Sequence, residues 1–231
     1  MHPDFEKNGY MVVRDFFDET TMDILGKYFN MKYKVYLEDE LTKRWSEYSK
    51  YEKHDKTSDD VAESLNYFSD ILAETILLKF GPKVCSVLQE DLSPTYTFTR
   101  IYEKGAKLIP HVDRPSCEIS ITAPIFISDD RPSKIFVSNY TWNDVTDTCH
   151  TKFEIDEIEK LGNYTEVNLF PGDILIYNGT NRYHWRRPLE SDYLIQFFLH
   201  FVKANGEYKD HIFDKRPFLG FPTHTRTHTR K

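Results

Sequence analysis

The chain has 231 residues, 39% of them hydrophobic and 29% charged, with a formal net charge of −7. This composition fits a soluble globular protein with a sizeable core in one large domain, and it excludes a disordered chain. The acidic balance argues against a protein whose main task is gripping a phosphate backbone, so no nucleic-acid partner is expected.

Three scattered cysteines, Cys85, Cys117 and Cys149, include no Cys-x-x-Cys pair. They indicate a reducing compartment, not a disulfide framework. The first residues, MHPDFEKNGY, lack an apolar signal core. Nowhere is there a run of about eighteen apolar residues, so the expectation is a cytoplasmic protein with no membrane partner. The 17 Phe and 15 Tyr suit a strand-rich core.

In chain order, Asn8-Gly9 marks a turn, and the apolar residues after Tyr10 form a short strand. Asp18 has the chemistry of an N-cap, and Met22, Ile24, Leu25, Tyr28 and Phe29 recur near helical spacing. They predict a helix of about ten to sixteen residues. Residues 33–57 are charged and Tyr-rich with weak periodicity. They read as a surface excursion, with a lid over a site as the alternative. Thr57-Ser58-Asp59-Asp60 is expected to open the clearest helix, whose apolar stripe is Val61, Leu65, Phe68, Leu72, Ile76 and Leu77. Gly81-Pro82 is expected to interrupt it before a short helix at Val84–Leu88. Such paired helices would lie against one face of a sheet.

After Pro94 the period becomes two. Tyr96, Phe98, Arg100 and Tyr102 alternate with Thr95, Thr97, Thr99 and Ile101. Further strands are predicted at Glu118–Ile127, Ile135–Val137, Thr165–Phe170, Ile174–Tyr177 and Tyr193–Val202, while residues 139–163 read as polar and irregular. Helices first, then roughly eight strands without βαβ alternation, predict an antiparallel sandwich or barrel. The basic stretch 223–231, THTRTHTRK, reads as a disordered end, with an interaction arm as the alternative.

The chemistry concentrates around His111-Val112-Asp113. Side chains at i and i+2 of a strand point the same way, so this imidazole and carboxylate converge. His184 opens a later strand-like run. Two histidines and one carboxylate, with neighbouring positions open, are the ligand set of non-heme Fe(II) oxygenases. The other histidines fit less well. His54, His150 and His211 lie in polar loops, His2, His224 and His228 near the termini, and His200 in the last strand without a partner pattern. Cys149-His150 lacks the second pair that a zinc site needs.

His111 and Asp113, PGDILIYNG leading to His184, Arg187-Pro188 and QFFLHF together resemble the Fe(II)/2-oxoglutarate-dependent dioxygenases. The likeness is to their prolyl 4-hydroxylase-like branch, in particular its microbial and phage-type members. It covers residues 94–203, with a weaker echo in GYMVVRDFF. It implies a double-stranded β-helix, or jelly roll, with N-terminal helices packed on the outer sheet. The whole chain would be one oxygenase domain: a mostly helical part at 1–93, a jelly-roll core at 94–203, and an extension with a basic tail at 204–231.

The resemblance makes His111, Asp113 and His184 the metal ligands and catalytic core. The implied cofactors are Fe(II), 2-oxoglutarate as co-substrate and O2, with ascorbate as an accessory. The implied reaction hydroxylates an unactivated C–H bond of a peptidyl substrate, prolyl included, or of a small molecule, releasing succinate and CO2. Tyr102 falls where the family often has a tyrosine that contacts 2-oxoglutarate. One departure matters. Where prolyl hydroxylases carry a Lys or Arg for the far carboxylate, this chain has Ser191-Asp192-Tyr193-Leu194. Arg100 is the first candidate to replace it, because it shares strand parity with Tyr102 and its fork suits a carboxylate. Arg182, Arg186 and Arg187 come next. Gln196, Ser120 and Thr122 would supply neutral hydrogen bonds, and Arg114 would touch substrate at the mouth. The missing base leaves two other readings open: a non-catalytic jelly-roll binding module, and a cupin-like metalloenzyme that does not use 2-oxoglutarate.

Overall fold

Period-two alternation after residue 92 builds two antiparallel sheets that face each other. The structure, a computed structural model, describes residues 1–42, 64–148, 151 and 153–216. The larger sheet contains β1 (Tyr10–Val13), β2 (Ser64–Phe68), β3 (Leu92–Glu103), β5 (Ile119–Ile127), β8 (Ile174–Asn178) and β10 (Tyr193–Lys203), in the order β1-β8-β5-β10-β3-β2. The smaller contains β4 (Leu108–His111), β6 (Ser133–Thr141), β7 (Tyr164–Leu169) and β9 (Arg182–Arg186), in the order β4-β9-β6-β7. From β3 to β10 the chain passes between the sheets so that β3-β10-β5-β8 faces β4-β9-β6-β7. This is the winding of a jelly roll.

The two faces of the large sheet have different jobs. Ile101, Ile119, Ile121, Ile195, Phe197 and Leu199 point outward and share one core with Leu25, Phe29, Ile76, Leu77, Phe80 and Val84 of the helices α2 (Glu19–Thr42) and α3 (Ile71–Leu88). Tyr102, Leu194 and Phe198 point inward, and Leu108 of the small sheet packs against them. No described helix is long and apolar enough to cross a membrane.

Several boundaries differ from the sequence reading. Asp18 does cap α2, its Oδ1 accepting from Thr21 N at 2.8 Å. The helix runs for 24 residues, into the stretch read as a loop, because Tyr33 and Tyr36 bury against the sheet. The rest of that stretch, 43–57, lies outside the described residues, as do Thr57–Asp60, Cys149-His150 and the basic tail. Leu65 and Phe68 belong to strand β2, not to a helix. Ser69, at φ 55°, turns the chain, and Asp70 caps α3 by accepting from Leu72 N and Ala73 N at 3.0 and 3.4 Å. Pro82 does not break α3. A proline frees the carbonyl four residues back, and here that residue, Leu78, faces solvent. Two short helices were not anticipated: α1 (Pro3–Asn8) and α4 (Ile155–Leu161). Each is too short for a periodic stripe. α4 buries Ile155 and Ile158 against Tyr183 and Trp185 on the outer face of the small sheet.

Candidate metal centre

β4 and β9 are hydrogen-bonded neighbours, and His111 is the direct cross-strand partner of His184. Their ring centroids lie 4.3 Å apart. Just past the end of β4, Asp113 is pinned by its backbone N–H, which donates to Gly179 O at 2.7 Å. One carboxylate oxygen, Oδ1, then lies 3.6 Å from His111 Nε2 and 3.5 Å from His184 Nε2. Ligand atoms of these three residues all fall within 4.8 Å of one another.

The backbone also selects the imidazole tautomers. His111 Nδ1 lies 2.9 Å from Ile109 O, and His184 Nδ1 lies 3.1 Å from Arg182 O. A carbonyl oxygen can only accept, so each Nδ1 donates, and in the neutral ring the lone pair belongs to Nε2. Both lone pairs then face Asp113 Oδ1, an arrangement suited to holding a metal. When the rings are protonated, the charge of His184 and hydrogen bonds from both histidines outweigh the burial that disfavours the Asp113 carboxylate and hold its pKa well below the usual range. With neutral rings a metal cation would take over that role.

Gly179 is there because nothing larger fits. A Cβ at this position would lie 2.5 Å from Asp113 Oδ2 and 2.6 Å from Ser120 Oγ. The Asn178-Gly179 punctuation between β8 and β9 is therefore part of the site.

Two residues beyond His184, on the same face of β9, is Arg186. It is only 4% exposed. One terminal nitrogen donates to Ser133 Oγ at 2.8 Å and to Lys134 O at 2.6 Å. The other two, Nε and Nη2, are buried with no close hydrogen-bond partner among the described residues, and so is the Tyr102 hydroxyl, which lies near enough to this guanidinium to favour its charged form. The guanidinium carbon lies 5.8 Å from the Tyr102 ring centroid. Burial lowers the Arg186 pKa from the ordinary arginine value. Tyr102, Phe136, Arg186 and Leu194 help to line a cavity of about 210 Å³.

Gln196 lies in the same interior. It donates to Thr122 Oγ1 at 2.6 Å and accepts from Ser133 Oγ at 3.1 Å. It therefore acts on Arg186 through Ser133. Arg100 shares the Tyr102 face as expected; its Nε donates to Asn66 Oδ1 at 2.7 Å, and its guanidinium carbon is 5.1 Å from the Phe98 ring centroid. Arg187, one residue past the end of β9, also lines this cavity, but its guanidinium forks onto Glu159 of α4 at 2.9 and 2.8 Å. Arg114 stands at the rim but is held in a bidentate pair with Asp214, at 2.6 and 2.8 Å, instead of projecting free into the mouth.

Sequence reasoning set aside His200, and the structure brings it to the site. Its Nδ1 lies 3.0 Å from Ser120 Oγ, and its ring centroid 4.5 Å from that of Tyr96. Burial pushes its pKa down to about 4. Cys117 completes this wall, with Sγ 3.0 Å from the Tyr96 hydroxyl. The available signal was parity: His200 follows Leu194, Gln196 and Phe198 along the inward face of β10.

No protein-family model matches the sequence, and no curated protein matches it. Solved structures do match. The epimerase SnoN in complex with Fe3+, alpha ketoglutarate and nogalamycin RO superposes at a TM-score of 0.58 with 11% identity, over 87% of this chain and 81% of that one. HygX from Streptomyces hygroscopicus, with nickel and 2-oxoglutarate bound, gives 0.54 at 11% identity over 87% and 85%. A Pseudomonas putida prolyl-4-hydroxylase gives 0.52 at 12% identity over 87% and 95%. At these identities the shared property is the fold.

Proposed function

We propose that this chain is an Fe(II)- and 2-oxoglutarate-dependent dioxygenase, one oxygenase domain with its core at 94–203. One observation carries the reading. The His111–Asp113–His184 donors converge two residues along the strand from the buried, partly unpartnered guanidinium of Arg186. Two neutral imidazoles and one carboxylate oxygen suit Fe(II) and leave neighbouring positions for reactants. Strand rise sets Arg186 about 7 Å along β9 from His184, a span matched to a five-carbon diacid. Its two unpartnered N–H nitrogens suit that acid's far carboxylate. Tyr102, with its hydroxyl also unpartnered, adds a second donor. The bound metal and co-substrate would supply oxidative decarboxylation to succinate and CO2, coupled to hydroxylation of a C–H bond.

The fold neighbours support the reading, since SnoN and HygX were solved with a metal and this co-substrate. A guanidinium at Arg186 also replaces the base missing at 191–194, which had motivated the alternative of a silent binding module. The proposed substrate is a peptidyl residue, proline among the choices, or a small molecule.

Anaerobic calorimetry with Mn(II), then 2-oxoglutarate, tests the site, and succinate release with Fe(II), ascorbate and candidate substrates tests turnover. The wild-type protein should bind 2-oxoglutarate only when metal-loaded. His111→Ala should lose metal binding and succinate release together. Succinate release unchanged in His111→Ala would overturn the ligand assignment.

A further inference from the structure

Asp113 presents its two oxygens to different partners. Oδ1 faces both imidazoles, while Oδ2 accepts from Ser120 Oγ at 2.8 Å. Ser120 lies on β5 and is fully buried. Its oxygen is also 3.1 Å from Cys117 O and 3.0 Å from His200 Nδ1. A hydroxyl has one proton to give. The Asp113 carboxylate and the Cys117 carbonyl can only accept, and the carboxylate is both closer and charged, so it takes that proton. His200 must then approach as a donor, its Nδ1–H directed at a lone pair of Ser120. The direction of the chain is fixed: His200 Nδ1–H to Ser120 Oγ–H to Asp113 Oδ2.

We infer that Ser120 and His200 are positioning residues that tie back Asp113 Oδ2, so that the carboxylate offers a metal one oxygen only. The inference rests on the proposed metal reading of His111, Asp113 and His184. A carboxylate free to turn would bring both oxygens to the ion and occupy a position that reactants need. Two observations support a purpose beyond packing. The relay is made of polar groups buried within the barrel wall, where a hydrogen-bonded chain is retained only if fully satisfied. Gly179 leaves room for it, since any Cβ there would overlap both Asp113 Oδ2 and Ser120 Oγ.

The same region offers another possibility. Ligand atoms of Asp113, Cys117 and His200 also lie within 4.8 Å of one another, so these three could themselves take an ion. Titration of the full chain with Mn(II), followed by calorimetry and electron paramagnetic resonance, separates the cases without recourse to turnover. One Mn(II) per chain is expected. Ser120→Ala and His200→Leu should weaken it by about 10–100-fold, the usual effect of removing such outer partners, and should change the resonance line shape. His200→Asn, whose Nδ2–H takes the place of Nδ1 and can still donate to Ser120, should stay near wild type. Thermal melting of each variant checks that it folds.

If the wild-type protein binds no metal, the functional reading fails. If it binds one ion and neither Ser120→Ala nor His200→Leu weakens it, the relay fails while that reading stands. Two ions per chain, one of them lost in both His200→Asn and Cys117→Ala, would overturn the relay and make the second cluster a metal site.

Discussion

Two arginines are buried among the described residues, and their surroundings are opposites. Arg216 lies under the start of α3, where its guanidinium meets the Glu74 carboxylate at 3.3 and 3.2 Å, Thr95 O at 2.7 Å, Phe213 O at 2.9 Å and the Ser69 hydroxyl. Glu74 in turn accepts from Thr97 N at 3.0 Å and Ser69 Oγ at 2.8 Å. Every group there has a partner. Arg186, inside the barrel, uses one nitrogen and leaves two with none among the described residues. A buried charge is tolerated when it is paired. The first arginine ties the segment after β10 to the rest of the fold. The second has two nitrogens without such partners, which is why it is the group proposed to bind the co-substrate's far carboxylate.

If that contrast is right, the two residues respond oppositely to mutation. The largest effect on stability should come from Glu74→Ala, which strands the Arg216 charge; about 3–5 kcal/mol is typical for breaking a buried pair from one side. Chemical denaturation measures it, and a loss under about 1 kcal/mol would mean that Arg216 rearranges to water. Arg186→Leu should instead cost little stability or even gain some, because it removes a charge that lacks full pairing. The same variant should weaken 2-oxoglutarate binding to the Mn(II)-loaded protein by at least about tenfold, roughly 1.4 kcal/mol, with Mn(II) affinity retained. A variant that unfolds while 2-oxoglutarate affinity per folded molecule is unchanged would make Arg186 a second structural arginine. Arg100→Ala sharpens the choice further. Its guanidinium is engaged by Asn66 on the β2 side, so it should affect 2-oxoglutarate less than Arg186→Leu does.

The sequence made much of this visible, for identifiable reasons. Strict alternation from Thr95 onward gave the strand faces, so Tyr102 and Arg100 were correctly put on one side. The turn at Asn178-Gly179 marked the approach to His184. The helix boundary near residue 60 was misread because Leu65 and Phe68, three apart, fit a helical stripe as well as two faces of an edge strand. Arg187 entered through its place in a motif, although parity with His184 favours Arg186. His200 could not be linked to Asp113 in advance, because the link runs through Ser120 and depends on β5 and β10 pairing, which sets His200 opposite Ser120.

The smallest predicted effect concerns the rim, where Arg114 and Asp214 join the turn at Lys209–Lys215 to the residue next to Asp113. Burial raises the Asp214 pKa, but hydrogen bonds from Arg114 and Ser116 outweigh it, and the net shift is downward. A carboxyl depressed in the folded state stabilises above its unfolded value, near 3.9, and that stabilisation is lost as pH falls through the folded value. The contact should therefore be constant from neutral pH down to about 4 and release only in stronger acid. Asp214→Asn removes the charge at every pH. Amide exchange across 209–216 should rise in this variant at pH 7 and should no longer depend on acidification below 4 beyond the intrinsic chemistry of exchange. Equal protection in the variant and the parent at pH 7 would show that Arg216, anchored on Glu74, holds this segment alone, and the functional contrast between the two buried arginines would then rest entirely on Arg186.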